Sequence, residues 1–149
     1  MLKMGIRMTQ QSFFSTAKIQ RALDRATRRA LSKFGAYVRR SARSSIRKRK
    51  RSALPGKPPS SHSGLLKRFI YFAYDMSHES VVIGPVLLHG GLRGGISSKT
   101  GKTVPELLEY GGRAEIRGRP VHYSAHPYMG PAFEKEIPKF PSLWRDSVK

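Results

Sequence analysis

Gly95-Ile96-Ser97-Ser98-Lys99-Thr100-Gly101-Lys102-Thr103 closes on Gly-Lys-Thr, the residue types that end a phosphate-cradling loop. In such a loop four residues separate the two glycines, which lets backbone N–H groups wrap the phosphate. Here five residues lie between Gly95 and Gly101, and Ile96 stands where the first glycine is required. The helix that would follow is about two turns long and holds Pro105. The segment reads as a basic Gly/Ser-rich loop and not as a nucleotide site. The five histidines are His62, His78, His89, His122 and His126. None forms a metal-binding pair on a helix; His122 and His126 are four apart, but in a strand-and-turn stretch. No carboxylate pair is placed for acid–base work, and no Gly-x-Ser-x-Gly elbow exposes a serine nucleophile. Cysteine is absent, which excludes disulfides, thiolate zinc sites and cysteine nucleophiles. No catalytic, metal or cofactor-binding residue is assigned, and the chain reads as a non-enzyme.

Charge is the strong signal. Lys and Arg number 29 against 9 Asp and Glu, a net of +20. Residues 1–75 hold 19 basic and 2 acidic residues, a net of +17, whereas 76–149 hold 10 and 7, a net of +3. Within 16–51 there are 14 cations and one acid, Asp24. Like charges repel, so this excess exceeds what solubility needs and points to a polyanion or an acidic neighbour. The candidate contacts are Arg21, Arg25, Arg28, Arg29, Arg39, Arg40, Arg43, Arg47, Lys48, Arg49, Lys50 and Arg51, with Arg93, Lys99 and Lys102 in a flexible interface loop. Aromatics are not interleaved with these cations, and no zinc-finger or helix-turn-helix pattern is present. Contact with nucleic acid would therefore be to phosphates and blind to base sequence.

The elements that position these residues follow from periodicity. A chain of 149 residues, 38% hydrophobic, suits one domain with a modest core. No uncharged apolar run approaches the ~18 residues of a membrane span. The first residues show no extended apolar region and no cleavage site, so no signal peptide is expected. From Thr16 to Arg51 proline is absent and Ala, Leu, Arg and Lys dominate. Ile19, Leu23, Ala26, Ala30, Phe34 and Tyr37 form a stripe roughly 80° wide, with Arg21, Arg25, Arg28, Arg39 and Arg43 opposite. Gly35 offers a bend. A straight helix of this length spans about 50 Å, more than the ~30 Å of the remaining globule, so part of it should overhang. Residues 52–63 read as a Pro/Ser linker. Phe69 to Tyr74 and Val81 to Ile83 read as a hairpin with large groups on both faces. Thr103-Val104-Pro105-Glu106 is a capping box opening a short helix to Gly111. Residues 114–124 read as a second hairpin. Pro131 starts a helix that Pro138 and Pro141 interrupt.

The fold class is thus α+β: a long N-terminal amphipathic basic helix packed on a small antiparallel β-sheet, with short C-terminal helices. The parts are a tail (1–15), the helix (16–51), the linker (52–63) and a small α+β unit (64–149) forming one domain with the helix.

Blocks in a fixed order carry a family resemblance: Pro58-Pro59, Ser63-Gly64-Leu65-Leu66, Val81-Val82-Ile83-Gly84-Pro85, Pro105-Glu106-Leu107-Leu108-Glu109-Tyr110-Gly111 and His126-Pro127-Tyr128-Met129-Gly130-Pro131-Ala132-Phe133. Over residues 20–140 this order resembles the tail-component family of tailed bacteriophages, the neck and tail-completion proteins related to minor tail protein Z of lambdoid phages. Ser63 replaces the family's usual Thr, and Tyr128 replaces Phe. The resemblance implies a virion structural protein at the head–tail junction, made in the host cytoplasm. It implies a hexameric or dodecameric ring lining or sealing the DNA channel, next to connector and tail-terminator or tail-tube rings, with no cofactor and no membrane. Gly64, Leu65, Gly84, Glu109, Gly111, Pro127 and Pro131 are the motif positions expected to hold turns and joints. The alternative is a sequence-independent nucleic-acid binder of the nucleoid or ribosome.

Overall fold

Thr16–Ser45 is one helix, α1, in a computed structural model that describes residues 15–86, 103–116 and 119–148. The order continues with α2 (Leu65–Arg68), β1 (Ile70–Asp75), β2 (Ser80–Pro85), α3 (Val104–Tyr110), β3 (Gly112–Ile116), β4 (Arg119–Tyr123), α4 (Met129–Glu136), a 3₁₀ turn (Ile137–Lys139) and α5 (Phe140–Ser147). The chain is α+β, with antiparallel pairing divided between two hairpins, β1–β2 and β3–β4.

α1 is shorter than the 16–51 expected. The chain turns extended at Ile46 (φ −78°, ψ 116°). Helix beyond this point would carry five consecutive cations with no apolar residue to pack. Leaving it buries Ile46 in the core and pairs Arg47 with Ser60 in an isolated parallel bridge. Residues 52–63 are consequently more than a linker. They fold back on the domain through Ser61 N–H to the Arg47 carbonyl (3.0 Å) and Gly56 N–H to the Ala125 carbonyl (2.8 Å).

The buried line of α1 also differs from the expected stripe. It runs Ala26, Ala30, Phe34, Val38, Ala42, always in steps of four. Each such step rotates the contact by about 40°, so the line winds around the helix. It does so because α1 is gripped from two sides. Phe34 meets Phe133 of α4 and Phe140 of α5 edge-to-face, with centroids 5.6 and 5.2 Å apart. Gly35, one residue on, faces the β1–β2 hairpin. A Cβ there would sit 2.8 Å from Val81 Cγ2 and 2.9 Å from the Phe72 ring. Gly35 is a point of close approach between α1 and the hairpin. Gly35→Ala should therefore lower stability by about 1 kcal/mol net, because overpacking of about 1–3 kcal/mol exceeds the helix-propensity gain of about 1 kcal/mol. Thermal melting by circular dichroism reads this; an unchanged or raised Tm would show that the hairpin yields freely.

Register places Tyr71 opposite Gly84, Phe72 opposite Ile83 and Ala73 opposite Val82. Alternation sends Ile70, Phe72 and Tyr74 towards α1 and leaves Tyr71, Ala73 and Val82 outside. At the C-terminus Pro138 lies in the 3₁₀ turn and Pro141 in the first turn of α5, positions that need no proline N–H. They redirect the chain so that α4 and α5 both pack on α1.

Candidate functional site

α3 opens on the expected capping box: the Thr103 N–H and hydroxyl both donate to the Glu106 carboxylate, at 2.6 and 2.9 Å. Its far end does something the local pattern does not announce. The Glu109 carboxylate accepts the backbone N–H groups of Tyr128 (2.9 Å), Met129 (3.0 Å) and Gly130 (2.7 Å). It thereby serves as the acceptor for the start of α4, where orphan donors and the helix dipole both favour a negative charge. Burial, and then the charge of Glu109, push the Tyr128 phenol well above its usual range. Gly111 caps α3 at φ 70°, and Gly64 caps the start of α2 at φ 77°. Leu65 opens α2 half-buried, Pro127 is half-buried before Tyr128, and Pro131 is exposed in the first turn of α4. Gly84 has open space around its would-be Cβ.

The cations separate into three groups. Lys18, Arg21, Arg25, Arg29 and Lys33 are exposed on α1. With Arg28, Arg39, Arg40 and Arg43 they share an arc of about 140° at 100° per residue. The single acid nearby, Asp24, accepts the Gln20 amide (2.9 Å). The second group is tied to aromatics. Arg39 Nε donates to the Ile70 carbonyl at 2.7 Å, and its guanidinium lies over Tyr71, 5.5 Å from the centroid. Arg28 lies over Tyr74 at 5.9 Å, and Arg40 over Tyr37 at 5.8 Å. Arg39 thus pins the helix to the hairpin edge and is not an open contact, and Arg43 is half-buried. The third group, Arg47 to Arg51, is exposed but off the helix. Arg93, Lys99 and Lys102 fall outside the described residues.

Between the end of α1 and residues 53–60 lies a groove of about 460 Å³, lined by Ser44, Ser45, Arg47, Arg49, Lys57 and Leu54 among others. Sequence reasoning missed it because its two walls are joined by the Arg47–Ser60 bridge, a pairing without periodicity to reveal it. The histidines are structural or superficial where described. His126 N–H meets the Leu108 carbonyl (2.6 Å) and its Nδ1 bonds the Lys57 carbonyl (2.9 Å). His78 pairs with Asp75 (2.7 Å), which holds that carboxyl below its usual range. Among the described residues no group of three His, Asp or Glu is placed to hold a metal, and no helix is long and apolar enough to cross a membrane. No family model matches the chain, and neither a curated protein nor a solved structure matches it significantly.

Proposed function

We propose that this chain is a virion structural protein, a ring-forming neck or tail-completion subunit at the head–tail junction of a tailed phage. The ordered sequence blocks support the family. The observation that carries the assembly is the apolar surface left outside the core. Every residue from Ser15 to Arg25 is exposed, although α1 keeps its apolar stripe there: Ile19 is 52% and Leu23 45% exposed. The ten helical residues Thr16–Arg25 project about 15 Å. The outer hairpin face is likewise open, with Tyr71 47% and Val82 63% exposed beside small Ala73 and Gly84. Two unlike apolar surfaces on one chain suit a head-to-tail contact, which closes into a ring when the rotation permits. Lys18, Arg21 and Arg25 lie on the side of α1 away from this stripe, where they stay available to DNA or to an acidic neighbouring ring.

Connector and tail-terminator or tail-tube rings are the expected neighbours, with genomic DNA passing through the channel. Mass photometry tests the ring. Wild type should form a discrete oligomer, and Ile19→Glu with Leu23→Glu should dissociate it into monomers that keep the wild-type helix content by circular dichroism, since both sites are exposed in the single chain. A wild-type chain that stays monomeric at micromolar concentration overturns the reading. It would leave the alternative, a sequence-independent nucleic-acid binder, which the cations of α1 favour by themselves.

A further inference from the structure

We propose that the groove at the end of α1 is a binding site for the phosphodiester backbone of DNA, with Arg47, Arg49 and Lys57 as its phosphate contacts. The presence of DNA beside the chain rests on the neck reading, whereas the groove and its cations belong to the single chain.

The chain changes character at Ile46. The buried Ile46 side chain and the Arg47–Ser60 bridge hold residues 46 and 47 in place. The Ser61 N–H to Arg47 carbonyl bond fixes the opposite wall. On this rigid base Arg47 and Arg49 line the groove while Lys48 between them does not. Lys57 faces them from the returning segment, and the His126 Nδ1 bond to the Lys57 carbonyl steadies that residue. Arg47, Arg49 and Lys57 are all exposed, and no carboxylate lines the groove.

The absence of acid extends well beyond the groove. No Asp or Glu occurs anywhere between Asp24 and Asp75. The bland reading is that these cations neutralise the C-terminus of α1. A helix C-terminus presents about half a negative charge, which one cation satisfies. Arg43 already stands in the last turn. Five further cations in a row, and Lys57 across the groove, are left over. Arginine suits this task because its planar fork grips phosphate oxygens in pairs. The walls are Ser, Pro, Ala and Leu, with no aromatic among the lining residues on which a base would stack, so the contact is to backbone and not to bases.

The test is fluorescence anisotropy with a short labelled DNA duplex over about 50 to 200 mM salt, where phosphate contacts dominate the slope. Each neutralised phosphate contributes about 0.9 to that slope, or about 0.7 log units at 0.15 M salt. Arg47→Gln, Arg49→Gln and Lys57→Gln together should therefore weaken binding on the order of 100-fold and flatten the slope by about 3. The charge-matched set Arg25→Gln, Arg29→Gln and Lys33→Gln should cost several-fold at most. If the first set melts early, Arg49→Gln and Lys57→Gln singly carry the same expectation at about 5-fold each. Equal losses in the two triple sets overturn the site in favour of diffuse charge. Displacement of the duplex by polyglutamate at equal charge concentration overturns it in favour of an acidic protein. Mass photometry on the same samples separates the two proposals. Rings with binding indifferent to the groove set remove the groove alone, and a monomer whose binding needs that set removes the ring alone.

Discussion

Glu109→Ala should melt about 5 to 12 °C below the unsubstituted chain, from a loss of about 2–4 kcal/mol in a protein of this size. The carboxylate is the acceptor of three backbone N–H groups, those of Tyr128, Met129 and Gly130. Hydrogen bonds to a charged group contribute about 1.5–3 kcal/mol each when singly removed, and they are not additive. Water can reach the exposed Gly130 N–H and recover part of the loss, which keeps the total well under three times one bond. The consequence spreads beyond the cap. α4 carries Ala132 into the core and Phe133 onto Phe34, so a frayed first turn loosens one of the two grips on α1. Glu109→Gln keeps an acceptor oxygen but loses the charge that suits a helix N-terminus, and should show about half the effect. Amide hydrogen exchange at Met129 and Gly130 should quicken in both variants before global unfolding. An alanine variant that melts within about 1 °C of the unsubstituted chain would show that water alone satisfies these donors.

The block order placed Glu109 among the joint positions, but which donors it meets was not legible in the sequence. α1, both hairpins and the box at Thr103–Glu106 obey patterns that close within a few residues: a helical period, β-branched runs around a turn, a cap three residues from its acid. Glu109 reaches donors 19 residues away, and no local pattern encodes that distance. The end of α1 failed for the same reason. Residues 46–51 have helical propensity, yet the bridge to Ser60 and the burial of Ile46 outweigh it. α2 is a single turn, too short for periodicity to register. The charge itself was plain in the sequence, but not its division. Arg39 and Arg25 look alike in a helical projection. Only the hairpin packed beside α1 shows that the first is bonded to Ile70 while the second stays exposed. Experiments that strip charge from α1 should therefore spare Arg28 and Arg39, whose aromatic contacts hold the helix to the hairpin.

Gly111→Ala should be as damaging as Glu109→Ala or more, at about 3–5 kcal/mol, because strain and overlap act together. Gly111 sits at φ 70° and ψ −174°. That region is essentially reserved for glycine, and occupying it costs other residues about 1–3 kcal/mol. A Cβ there would also lie 2.9 Å from the Tyr123 carbonyl oxygen and 3.0 Å from the Ala125 nitrogen. Both are backbone atoms, so no side chain can swing away to make room. The Tyr123 backbone is itself held by its pairing with Gly112. Relief requires α3 to move away from residues 123–126, and that movement stretches the His126 N–H bond to the Leu108 carbonyl. It also draws Glu109 away from the start of α4. The two residues thus guard one joint from opposite ends. Neighbours that share a structural element couple, commonly by about 0.5–3 kcal/mol. The double variant Glu109→Ala with Gly111→Ala should therefore lose less stability than the two single losses combined, in chemical denaturation read by circular dichroism. Strict additivity would mean that Gly111 shapes only the β3 entry and that Glu109 caps α4 without its help.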